Sequence, residues 1–193
     1  MRSALKLWLT FFLILLSLGC SAQIEKTYQN QFMGFKLTYP AKYEIKEYRS
    51  AEMQLGAELK NKDGMIDIRV GGAGTMHDQM PFDQYVKIAA IDQIQNYDKL
   101  ISIKPFVSDS GVRGYETYWK VLQTVPPEDF DKPDLYPPYI SGPIFYFQPK
   151  EAKYDGQQPL KTISLSHYTA NDKTEKMVVE DLKEIAKSFR FAP

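Results

Sequence analysis

Cysteine is almost missing from this chain: Cys20 is the only one among 193 residues. No disulfide can form within it, so packing alone must hold the fold, and about 170 residues behind the N-terminal segment suffice for a core. Histidine is scarce as well. His77 and His167 are the only two. Metal sites need clustered His, Cys or carboxylate, and these two read as a solvated loop residue and a strand-end residue at a core margin. Neither a metal nor a cofactor is expected. Charge of either sign is not in excess, with 24 basic and 24 acidic residues. That balance argues against nucleic acid or anionic lipid as the main partner. Long apolar runs are lacking too. The longest, Leu7 to Leu16, has ten residues, half of the roughly 20 needed to cross a bilayer. Catalytic signatures are likewise absent: there is no nucleophile elbow, zinc-protease helix or calcium loop. Gly71-Gly72-Ala73-Gly74-Thr75 follows a strand but no lysine follows it, so it reads as a loop and not as a phosphate cradle.

What is present begins at the N-terminus. Arg2 and Lys6 precede the apolar run, and small residues follow it up to Cys20. This is the three-part layout of a secretory signal. Leu16-Ser17-Leu18-Gly19-Cys20 resembles the bacterial lipobox, with Ser17 where leucine is usual. The resemblance implies a diacylglycerol thioether on Cys20, cleavage before it, and acylation of the new N-terminus. Ordinary signal-peptidase cleavage after Ala22 is the alternative, giving a soluble periplasmic or secreted protein. A lone thiol in an exported chain calls for a reason, and acylation supplies one. Ser21 after the cysteine, by the same resemblance, favours the outer membrane facing the periplasm. Residues 1–19 are thus expected to be a signal peptide and 20–28 a polar tether. Arg2 and Lys6 are the two basic residues lost on cleavage, leaving 22 against 24 acidic ones.

The remainder, 29–193, is expected to be one domain of the α+β class. Phe35 to Tyr39 is apolar at every second position, as in a half-buried strand, and Tyr43 and Ile45 repeat that spacing. Gln54 to Leu59 and Met65 to Val70 flank the turn signal Asn61-Lys62-Asp63-Gly64. Pro81 opens a helix whose apolar residues recur down to about Tyr97. A second hairpin joins Leu100 to Val107 with Val112 to Leu122. Ile144 to Gln148 is apolar on both faces, as a central strand is. Lys161 to Tyr168 alternates with Ile163 and Leu165 inward. A second helix runs from about Thr174 to Ser188, with Val178, Leu182, Ile185 and Phe189 as its apolar stripe. Sequential hairpins predict an antiparallel sheet flanked by helices.

One segment breaks this pattern. Six of the twelve prolines lie between Val125 and Pro143, mixed with acids and aromatics. The stretch is too proline-rich for a helix or a central strand. Long loops inside compact domains are often functional. Prolines limit the entropy lost on binding, and tyrosines offer large amphipathic contacts. Asp129, Phe130, Asp131, Tyr136 and Tyr139 are therefore the candidate partner-binding residues, against the alternative of a rigid excursion capping a sheet edge.

Two motifs at the ends of the domain carry a family resemblance. Gly34-Phe35-Lys36-Leu37-Thr38-Tyr39-Pro40 resembles the opening strand of the PsbP-like family, with Tyr43 where a tryptophan is usual. Leu182 to Phe191 resembles that family's last helix running into a Ser-Phe-x-Phe strand. The resemblance implies an α/β/α sandwich built on an antiparallel sheet. It places the chain beside extrinsic photosystem subunits, a nuclear-import factor and bacterial lipoproteins of unknown role, which bind macromolecules and do not catalyse. The segment 125–143 has no counterpart in the family pattern, and a photosynthetic role is not implied. The leading expectation is a non-enzymatic, membrane-anchored lipoprotein that binds a protein or envelope component. A carrier of a small apolar ligand and an envelope hydrolase are the alternatives.

Overall fold

The computed structural model describes residues 24–50, 53–72, 80–93, 97–123, 125–154, 156, 159–169 and 172–192. Among the described residues no helix is long and apolar enough to cross a membrane. The expectations for Cys20, the signal peptide and His77 fall outside this set.

The described residues build two antiparallel sheets and two α-helices, an α+β architecture. The smaller sheet contains β1 (Glu25–Asn30), β2 (Phe35–Pro40) and the last strand, β11 (Arg190–Phe191), in the order β1-β2-β11. The larger holds β3 (Glu44–Ser50), β4 (Met53–Lys60), β5 (Gly64–Gly72), β6 (Tyr97–Val107), β7 (Arg113–Val121), β8 (Tyr139–Phe147), β9 (Lys153–Tyr154) and β10 (Pro159–Thr169). Its order is β3-β4-β5-β10-β8-β7-β6, with β9 on β10. The helices are α1 (Phe82–Gln93) and α2 (Asp172–Lys187).

A single sheet was expected, and the second one corrects the extent of the tether. Residues 25–30 are not free linker but β1, in register with β2 from Glu25↔Pro40 to Asn30↔Phe35. Two buried side chains explain this. Tyr28 packs edge-on against Phe35 at 6.0 Å, and Asn30 donates from Nδ2 to the Gln54 carbonyl at 2.7 Å. Of the stretch expected to be a tether, 20–28, residues 25–28 are therefore strand. Ile45 also departs from expectation, being exposed on β3 while Tyr43 is buried just before it.

The β4–β5 hairpin turns where expected. Asn61 Oδ1 accepts from the amides of Asp63 and Gly64 at 2.8 and 3.0 Å, so the side chain imitates a backbone turn. The apolar stripe of α2 behaves as its spacing demands: Val178, Leu182 and Ile185 are all buried. They meet Ile66, Ile68, Ile163 and Leu165 of the large sheet and Phe35 and Leu37 of the small one. Phe189, just beyond the helix, stacks on Phe147 at 4.0 Å and on Phe35 at 5.2 Å, joining the two sheets. Each such buried aromatic contributes about 1.5–3 kcal/mol through removal from water. The turn after β6 satisfies the end of α2. Asp109 N–H donates to the Lys187 carbonyl at 2.9 Å, and Ser110 Oγ–H to that of Phe189 at 2.8 Å.

The pleat of β8 divides its side chains between two clusters. Phe145 and Phe147 join the core under α2. Ile144 and Tyr146 join Tyr85 and Val86 of α1 and Trp119 of β7. This is why the segment looked apolar on both faces. The first helix is shorter than expected, since Tyr97 already starts β6.

The proline-rich segment is also shorter than expected. It was read as a loop to Pro143, but β8 begins at Tyr139, and Pro143 lies inside a strand flanked by β10 and β7. The ladder tolerates it because β7 shifts register between Thr117↔Ile144 and Trp119↔Ser141. Gly142 and Pro143 thus oppose Tyr118 alone, a bulge where a missing N–H costs no ladder bond. On the other side β10 pairs β8 only through Phe145, Tyr146 and Phe147. Gly142 has φ +140°, and a Cβ there would meet the Thr117 carbonyl oxygen at 2.8 Å, so the bulge requires glycine.

Candidate functional site

Strands β7 and β8 pair up to Val121↔Tyr139. A hairpin needs two to five residues to turn, yet this one carries everything from Leu122 to Pro138. The extension is ordered by its own side chains. Its prolines open two single 3-10 turns, Pro127–Asp129 and Pro133–Leu135. The Asp129 N–H donates to the Pro126 carbonyl at 3.0 Å, that of Lys132 to Asp129 at 2.8 Å, and that of Leu135 to Lys132 at 3.1 Å.

Asp129 is the hub. Its Oδ2 accepts from the Tyr136 hydroxyl at 2.6 Å, and its Oδ1 from Lys132 Nζ at 3.2 Å. The bond to Asp129 raises the Tyr136 phenol above its ordinary range, because losing that proton would set two negative oxygens side by side. Gln123 ties the root of the extension by donating from Nε2 to the Pro137 carbonyl at 2.9 Å. The result is a stiff arch, with Phe130 69% and Leu135 64% exposed on it.

Of the sequence-derived candidates, Asp129 and Tyr136 are brought into direct contact and work inward, holding the arch. Phe130 and Asp131 are exposed. Tyr139 is not in the loop at all. It starts β8 at the root of the arch, exposed beside Ile140.

A second polar group lies on the large sheet and was not picked out from sequence. Glu58 of β4 and Asp67 of β5 sit directly opposite each other across the ladder, and Ser166 of β10 faces Asp67 from the other side. Tyr48 gives its hydroxyl proton to Glu58 Oε1 at 2.5 Å. Arg69 holds Asp67 Oδ2 at 2.9 Å. Asp67 is buried, and its Oδ1 finds no hydrogen-bond donor among the described residues. Burial pushes its carboxyl above the usual carboxylate range, and Glu58 adds to the rise while Arg69 opposes it. The sequence contained the signal. The turn at residues 61–64 fixes the register, and counting outward from it pairs Glu58 with Asp67.

His167 stands on the face of Ile163 and Leu165, as alternation requires, with its side chain buried. Nε2 is 3.9 Å from Glu175 on α2, and the imidazole also bonds the Pro143 backbone. Burial lowers its pKa, and Glu175 opposes that shift. With a main-chain partner on β8 and a carboxylate on α2, the ring links β10 to both. Among the described residues no group of three or more His, Cys, Asp or Glu could hold a metal ion. A concavity of about 540 Å³ lies against α2, where Glu25, Asp181, Glu184 and Arg190 share the lining with Tyr39 and Ile185.

No family model matches the sequence, and no curated protein does. Among solved structures the chain is similar to the solution structure of cyanobacterial PsbP (CyanoP) from Synechocystis sp. PCC 6803. The two share 14% identity and superpose with a TM-score of 0.48, over 90% of this chain and 95% of that one. No residue role crosses with that likeness.

Proposed function

We propose that this protein is an exported, lipid-tethered, non-enzymatic binding module whose working surface is the arch between β7 and β8. The carrying observation is that Phe130 and Leu135 are held out to solvent by an arch that spends Asp129, Tyr136 and Lys132 on its own rigidity. Large apolar side chains on a stiff support bind with little further loss of entropy. The tether rests on Gly19-Cys20 and the export signal before it, and its short reach to β1 keeps the domain close to one membrane surface. The partner is a protein or envelope component. On the same reading the domain is a PsbP-like α/β/α sandwich of the bacterial lipoprotein branch, supported by its opening and closing motifs. Crosslinking in intact cells tests the function: the native chain captures a species that a chain lacking residues 126–138 does not. Equal capture by both, or capture by neither, overturns the reading.

A further inference from the structure

The arch has a second property besides its apolar tip. From Val125 to Pro138 it carries four acids, Glu128, Asp129, Asp131 and Asp134, and one base, Lys132. The base is already engaged by Asp129. Glu128, Asp131 and Asp134 are exposed, and among the described residues none of them takes part in an ion pair. They are near neighbours of Phe130 and Leu135 in sequence, so exposed acids accompany both exposed apolar side chains along the arch. Three like charges on a short arch repel one another. Their placement makes sense against an opposite charge.

We infer that the partner is a protein surface on which lysine or arginine residues border an apolar pocket that receives Phe130 and Leu135. This rests on the reading of the arch as the working surface and names the chemistry of what it meets. A buried aromatic anchor inside a charged rim is the usual layout of a specific interface, with the rim setting encounter rate and partner choice. An anionic bilayer is the wrong occupant, because the acids would face like charge there.

The test uses the full-length, membrane-attached protein in intact cells, with two reagents of different chemistry. A carbodiimide joins a carboxylate directly to an amine, so it reports only an acid touching a lysine. A diazirine side chain placed at position 130 reports any neighbour of the tip. The expected result is an amide link from Glu128, Asp131 or Asp134 to a lysine of another protein, absent in the E128Q/D131N/D134N variant. Diazirine capture of that same protein falls roughly three- to tenfold in the variant and in about 0.5 M salt. If the diazirine captures a partner, but no carbodiimide link forms and salt has no effect, the basic-surface inference is overturned and the binding module stands. The same holds if the captured species is phospholipid. If the diazirine captures nothing, both readings fall.

Discussion

The Tyr136 hydroxyl donates to Asp129 Oδ2 at 2.6 Å, closing the arch between β7 and β8 on itself. This one bond separates two kinds of residue on the arch. Some hold it, and others are displayed by it.

Removing the bond should therefore loosen the arch without touching the core. Tyr136→Phe is expected to leave the thermal midpoint unchanged and to speed proteolytic cleavage between residues 125 and 138. Limited proteolysis beside a melting curve checks this. Cleavage at the native rate would mean that the prolines alone hold the arch.

Phe189 joins both sheets through its stacking on Phe147 and Phe35. Phe189→Ala should lower stability by about 3–5 kcal/mol, as expected for a fully buried phenylalanine. Urea denaturation followed by tryptophan fluorescence measures it. A loss below about 1 kcal/mol would show that the junction collapses around the cavity.

Asp67 should make the fold pH-dependent in the direction opposite to most carboxylates. Its folded pKa is raised by burial and by Glu58. A raised pKa means that the folded state holds the proton more tightly. Its favourable contribution is complete below the unfolded value and is lost as pH rises through the folded one. Asp67→Asn removes the buried charge together with its ion pair to Arg69, whose guanidinium is half-exposed and so partly screened by water. The variant should be at least as stable as the native chain at pH 7.5, with a smaller change in stability between pH 4.5 and 7.5. Marked destabilisation at pH 7.5 would show that the Arg69 pair outweighs the desolvation.

His167 acts with the other sign. Burial lowers its pKa, so its contribution is present above the unfolded value of about 6.5 and is lost as pH falls below it through the folded value. Glu175, 3.9 Å away, softens the loss by receiving the protonated ring. Glu175→Gln should deepen the fall in stability between pH 7.5 and 5, read by urea midpoints. An unchanged pH profile would show that this carboxylate does not sense the ring.

Cys20→Ser should abolish labelling by radioactive palmitate and release any processed protein from membranes. Undiminished labelling would exclude Cys20 as the acylated residue.

The sequence was most legible where one period repeats over a long element. Val178, Leu182 and Ile185 disclosed the buried side of α2, and Asn61 to Gly64 disclosed a turn. It was least legible where partners are distant. Nothing local in Glu25 to Asn30 announces a strand, because its reason to be one is Phe35 and Gln54, reached only after folding. Pro143 argued against a strand until the bulge opposite Tyr118 removed the objection. The arch was visible from its composition, but its internal bonding was not. Asp129 and Phe130 are sequence neighbours, and it is the contacts of Asp129 with Tyr136 and Lys132 that distinguish them.

The most direct test of the account is photo-crosslinking from position 130 in intact cells, compared with the same probe on the exposed strand residue Lys46, far from the arch in sequence. The account predicts one dominant crosslinked species from position 130, absent from position 46 and strongly reduced when Leu135 is replaced by alanine. Equal patterns from both positions, or none from position 130, would contradict the claim that the arch is where this protein binds.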